Sequence, residues 1–141
     1  MIELKIPSIT GYERIVMACS AAYAKISGMG PEKIEDLKTA VSEACMNAIE
    51  HGNMNIESAK VYIKLSDKGD GLEIIVQDEG KGLKKMPRDP SIERKLRELE
   101  PARGFGVFLI KQLSDEVEFN YGNEGGHAVR LFFKIEERRG D

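Results

Sequence analysis

The chain has 141 residues, enough for one domain with a proper core and too few for two of ordinary size. Charged residues make up 32% and hydrophobic ones 41%, which fits a soluble globular protein and excludes a disordered one. A net charge of -3 supplies no basic excess for nucleic-acid phosphates, and no apolar run reaches the roughly 18–20 residues of a membrane span.

The amino terminus, MIELKIPSIT, lacks the charged-then-apolar layout of a signal peptide, so a cytoplasmic protein is expected. Ile2, Leu4 and Ile6 alternate with Glu3 and Lys5, a short half-buried strand that Pro7 ends. Thr10 is placed to cap a helix running to about Ser27. Tyr12, Val16, Cys19, Tyr23 and Ile26 supply its stripe, widened by Ile15, Ala18 and Ala22. A face this wide suits core on one side and a partner surface on the other, although buried core explains it equally well. Cys19 and Cys45 both fall inside predicted helices and read as small core residues rather than a disulfide or metal framework. Gly28 and Gly30 break the first helix, and Pro31 suits the first turn of the next.

That second helix contains the stretch around which the chain is organised, DLKTAVSEACMNAIEHGN from Asp36 to Asn53. Leu37, Val41, Ala44 and Ala48 stack into one apolar seam. Beside it Glu43, Asn47 and His51 form a polar row at four-residue spacing, a carboxylate, an amide and an imidazole along one side. Most such rows are solvated flanks, and His51 also complements the negative end of its helix. Gly52 is expected to end the helix as a C-terminal cap.

Ala59, Val61, Ile63 and Leu65 alternate with Lys60, Tyr62 and Lys64 as a strand, and DKGDG at 67–71 turns the chain. Leu72, Ile74 and Val76 then share a face on which the next residue is Asp78. A carboxylate continuing a buried row is costly unless something hydrogen-bonds it. It opens Asp78-Glu-Gly80-Lys-Gly82, either an ordinary strand-end turn or a place where a backbone meets a flat ligand.

Residues 83–103 form a long connection rich in Lys and Arg, of the kind that is a functional lid or disordered. Within it Asp89 and Pro90 open a short helix lined by Ile92, Leu96 and Leu99, which Pro101 stops. Arg103-Gly104-Phe105-Gly106 then leads into Val107–Leu113, a helix expected to be buried on most sides with two glycines at its mouth. Such a start exposes backbone N–H groups to an anion, and Arg103 adds a charged fork. Val117, Phe119 and Tyr121 alternate as a strand, GNEGG at 122–126 turns the chain, and Val129, Leu131, Phe133 and Ile135 line the last strand. The tail ERRGD is expected to fray. This order predicts one α+β domain, a two-layer sandwich whose mostly antiparallel mixed sheet carries helices on one face.

SEACMNAIEHG, QDEGKGL and RGFGVFLIKQLSDEVEF resemble the N, G1 and G2 boxes of the GHKL, or Bergerat-fold, ATPases. The compact layout is most similar to the stand-alone anti-sigma-factor serine kinases of bacterial partner-switching systems. The resemblance implies the Bergerat ATP-binding fold, ATP or ADP with Mg²⁺, and transfer of the γ-phosphate to a serine of an anti-anti-sigma factor. It implies Glu43 as the carboxylate activating that serine, with Arg103 assisting on the phosphate, and Asn47 as the magnesium ligand. Asp78 matches the aspartate that contacts adenine, and Gly80, Gly82, Gly104 and Gly106 match the box glycines. His51, Phe105 and Val107 are carried with them as nucleotide contacts. A sigma factor as sequestered partner and a homodimer are implied in the same way. An ATP-gated binding module without kinase activity is the alternative. Two departures stand out: Arg103 abuts Gly104 instead of standing one residue further ahead, and Gly126-His127-Ala128 replaces a Gly-Thr opening of the last strand.

Overall fold

The computed structural model describes residues 1–80, 100–121 and 126–136, with 100–105 and 121 described by backbone only. In chain order the elements are β1 (Ile2–Pro7), α1 (Glu13–Ile26), α2 (Pro31–Asn47), a π-turn (Ala48–Gly52), β2 (Lys60–Asp67), β3 (Gly71–Gln77), α3 (Glu100–Leu113), β4 (Glu116–Tyr121) and β5 (His127–Lys134). The strands form a five-stranded sheet in the order β1-β2-β3-β5-β4. Every pairing among the described residues is antiparallel, so the sheet is antiparallel throughout where a mixed one was expected.

The inner faces follow the alternation in the sequence. Val61, Ile63 and Leu65 of β2, Leu72, Ile74 and Val76 of β3, and Leu131 and Phe133 of β5 are all buried. Against them pack Leu37, Val41, Ala44 and Cys45 of α2, so this helix lies over the middle of the sheet. Burial pushes the Cys45 thiol well up from its ordinary value, with the Glu13 carboxylate adding to the effect, which keeps it protonated and inert.

The first helix departs from expectation at both ends of its stripe. Its N-cap is Tyr12, with no side-chain cap, and Thr10 bonds Asn55 Oδ1 instead (3.3 Å). Its buried line is Val16, Ser20 and Ala24, whereas Tyr12, Ile15 and Ile26 stand exposed (38%, 53% and 84%) with Ala18 and Ala22 between them. The apolar width of α1 is therefore split between core and surface. No helix among the described residues is long and apolar enough to cross a membrane.

β5 lies between β3 and the edge strand β4, although β4 precedes it in the chain. Gln77 pairs with Ala128, so the residues leaving β3 meet the residues entering β5. Arg130 Nε on Glu73 Oε2 (2.7 Å) pins this register on the outer face. At the opposite end, Lys33 Nζ of α2 meets Asp115 Oδ2 (2.6 Å), which also accepts the Lys134 N–H (2.7 Å). Burial pushes the Asp115 carboxyl up, but the Lys33 ammonium and the Lys134 N–H outweigh it and hold it below the ordinary carboxylate value.

Candidate functional site

With Leu37, Val41 and Ala44 turned into the core, the edge of α2 carrying Glu43 and Asn47 is half-buried against α3. The two helices approach closely at Gly106. A Cβ there would lie 2.9 Å from Glu43 Oε2, 3.6 Å from Asn47 Nδ2 and 3.7 Å from Asn47 Oδ1. Glycine is the residue that lets the α3 backbone rest on this polar edge, because any side chain would push Glu43 away.

α2 ends earlier than the sequence pattern indicates. The expected helix to Asn53 stops at Asn47, and Ala48–Gly52 form a π-turn. A π-turn closes over five residues instead of four. Gly52, not His51, therefore takes the position one turn beyond Asn47, and it lies inside the turn rather than capping a helix. Gly52 faces Asp78, whose carboxylate occupies the space that any Cβ at 52 would need. His51 is half-buried beside it. The turn thus joins the Glu43–Asn47 edge to the Asp78 loop.

Asp78 continues the buried face of β3 and is 6% exposed. Hydrogen bonds meet the cost of burying it: Oδ1 accepts the N–H of Gly80 (2.8 Å) and of His127 (3.1 Å), while the Asp78 N–H donates to the His127 carbonyl (2.9 Å). The His127 imidazole Nδ1 lies 3.5 Å from the same Oδ1. Gly80 has φ +64, the left-handed region that favours glycine. A Cβ at Gly126 would come within 2.7 Å of the Asp78 carbonyl. Gly126-His127, where the sequence departs from the family pattern, is therefore a wall of the Asp78 site.

α3 differs from expectation in both its start and its burial. Its described part runs from Glu100 to Leu113 and includes Pro101. Pro101 is itself helical, so the stop expected there does not occur, and Gly104 and Gly106 lie inside the helix rather than at its mouth. Their N–H groups point back along the helix, so in this arrangement the glycines supply closeness more than hydrogen bonds. Burial is confined to one line: Gly106 and Ile110 are buried, Val107 is half-buried and Phe108 is exposed. Arg103, Gly104 and Phe105 are placed by backbone only; Gly82, residues 83–99 of the expected lid with its short helix, 122–125 and the tail lie outside the described residues, while 100–103 of that lid are helical.

Glu43, Asn47, Gly106, Gly52, Asp78, Gly80 and Gly126 thus converge from separate stretches of the chain. Sequence reasoning missed Asn53, a fully buried amide that binds the Glu79 N–H. An open cavity of about 770 Å³ lies elsewhere, at the start of α2, lined among others by Pro31, Lys33, Asp36 and Lys134. It mixes both signs of charge and holds none of the expected residues.

The sequence pattern of the histidine kinase-like ATPase domain matches residues 7–133. A serine-protein kinase RsbW from Oceanobacillus iheyensis is 33% identical, the match covering 99% of this chain and 90% of the relative. One from Bacillus pumilus is 36% identical (98% and 88% covered), and one from Bacillus subtilis is 33% identical (92% and 82%). Among solved structures, the RsbU and RsbW domains of a Mycobacterium tuberculosis protein superpose with a TM-score of 0.62 at 20% identity, covering 95% of this chain and 32% of that one. The SiaB–SiaC complex of Pseudomonas aeruginosa gives 0.62 at 15%, covering 94% and 89%. At such identities these two support the fold alone. The chain belongs to the histidine kinase-like ATPase domain family and, within it, to the family of the RsbW serine-protein kinases.

Proposed function

We propose that this protein is an ATP-dependent serine kinase that phosphorylates an anti-anti-sigma factor and sequesters a sigma factor, as one domain in the cytoplasm. The observation that carries the proposal is the seating of Gly106 against Glu43 and Asn47, with Gly52 against Asp78 at the other end of the same edge. Residues of all three sequence boxes, Glu43 and Asn47, Asp78, and Gly106, take part in these contacts.

The residues present fit magnesium and ATP. Magnesium takes oxygen donors and keeps several waters, so the side-chain oxygen of Asn47, beside the Glu43 carboxylate, suits an ion held mostly by phosphates. Asp78, its Oδ1 held by two backbone N–H groups, is pre-set to accept from the exocyclic amine of adenine. Gly80, in the left-handed region beside Asp78, presents no side chain to the base. Bound MgATP would supply the transferable phosphoryl group and neutralise its oxygens. Glu43, one turn before the metal ligand, accepts or orients the proton of the incoming serine hydroxyl. The resemblance assigns Arg103, Gly104 and Gly106 to the phosphate side, and Gly106 lets the α3 backbone approach the Glu43–Asn47 edge there. The resemblance adds His51, Phe105 and Val107 as nucleotide contacts. Phosphoryl transfer depends chiefly on positioning and electrostatics, so so few groups suffice.

The exposed α1 stripe of Ile15, Ala18, Ala22 and Ile26 is the surface assigned here to a second copy of the chain. The catalytic test is Glu43→Gln. It should keep MgATP affinity while serine phosphorylation of the antagonist falls by about 10²–10⁴, the usual loss of a general base. Full transfer in this variant would remove Glu43 from its role. Intact ATP binding with no labelled antagonist in the unmodified protein would favour the gated binding module instead.

A further inference from the structure

Asn53 is fully buried and every polar group it owns is engaged. Its two amide hydrogens go to Ser8 Oγ (2.9 Å) and the Lys60 carbonyl (3.0 Å), and its Oδ1 accepts the Glu79 N–H (2.9 Å). Its own N–H donates to the Ala48 carbonyl (2.9 Å), and its carbonyl accepts the Ile56 N–H (2.9 Å). One side chain therefore ties the end of β1, the start of β2 and the Asp78–Gly80 loop to the π-turn that follows Asn47. The Glu79 carboxylate returns to the Lys60 N–H, closing the ring of contacts.

The chain beyond Asn53 is strained. Met54 and Asn55 both have positive φ (51° and 56°), a region asparagine tolerates but methionine enters at a cost. Such strain persists only where surrounding bonds over-determine the backbone. Here the Asn53 contacts and the Asn55 N–H on the Ile49 carbonyl (2.8 Å) do so. A buried amide also holds its neighbours in one geometry more strictly than an apolar group, because leaving any partner unpaired is costly.

We infer that Asn53 is a positioning residue of the nucleotide site: its carboxamide sets the Asp78–Gly80 loop, and so the purine end, at a fixed offset from the Glu43–Asn47 edge. The inference rests on the function proposed above. Asn53 acts through the loop, on the purine side that ATP and ADP share, and leaves the phosphate side of α2 untouched.

The test compares Asn53→Ala with Ser8→Ala, using the full chain and titrating ATP and ADP with magnesium. Ser8→Ala removes a bond from the same hub on the side away from the loop, so it controls for simple loss of stability. Asn53→Ala should weaken ATP and ADP by the same factor, tenfold or more, while Ser8→Ala stays within twofold of the unmodified protein. Should Asn53→Ala not fold, Asn53→Ser, which restores a small polar group and room for water, carries the same comparison. A folded Asn53 variant within twofold of the unmodified protein overturns the inference. So does an equal loss in Ser8→Ala, or a loss for ATP that spares ADP. If the unmodified protein binds neither nucleotide, the functional proposal falls first, and this inference with it.

Discussion

Gly52 has no side chain because Asp78 already fills that space. Gly52→Ala should therefore displace the Asp78 carboxylate and reduce ATP affinity at least tenfold, read by nucleotide titration of the folded variant. Unchanged affinity would mean that Asp78 does not touch the base. The carboxylate itself was legible in the sequence, because it continues the Leu72, Ile74, Val76 alternation where an apolar residue belongs. Glu43 and Asn47 were legible for the same kind of reason, being one turn apart beside an unbroken seam. Asn53 was not. Its side-chain partners lie 45, 7 and 26 residues away along the chain, and after His51-Gly52 an asparagine looks like any turn residue.

At the scale of elements, strands and the α2 seam followed their periodicities, but helix ends did not. Gly52 and Pro101 are sound local signals for a helix stop, and both were overridden. The π-turn carries Gly52 onto Asp78, a contact between distant segments. Pro101 lies within the described part of α3, where a stop was expected. The Lys33–Asp115 pair joins the start of α2 to the end of α3 and to β5. The Asp115 carboxyl is held low in the folded protein. Its contribution is thus complete above the unfolded carboxylate value of about 3.9 and is lost as pH falls through the lower folded value. Asp115→Asn should lower stability at neutral pH by about 0.5–1 kcal/mol, since both partners are partly exposed. It should also flatten the acid limb of a stability–pH curve measured by urea unfolding. A variant whose acid limb matched that of the unmodified protein would show that the pair contributes nothing.

At the scale of the molecule, the order of elements was readable as an α+β sandwich, whereas the placement of β5 inside the sheet was not. No local pattern distinguishes β5 beside β3 from β5 at the edge, yet that choice brings Gly126 and His127 against Asp78. The nucleotide proposal depends on this convergence of α2, β3, α3 and β5, and binding should be visible as stabilisation of the whole fold.

Thermal unfolding with and without MgATP, in the unmodified protein and in Asp78→Asn, tests this most directly. At about 100 times Kd a ligand specific to the native state adds about 2.7 kcal/mol, a rise of roughly 10 °C for a chain of this size. The unmodified protein should show that rise, and Asp78→Asn should lose most of it while folding normally without nucleotide. No shift in the unmodified protein at millimolar MgATP, or an equal shift in Asp78→Asn, would contradict a nucleotide site built on the Asn47 edge and Asp78.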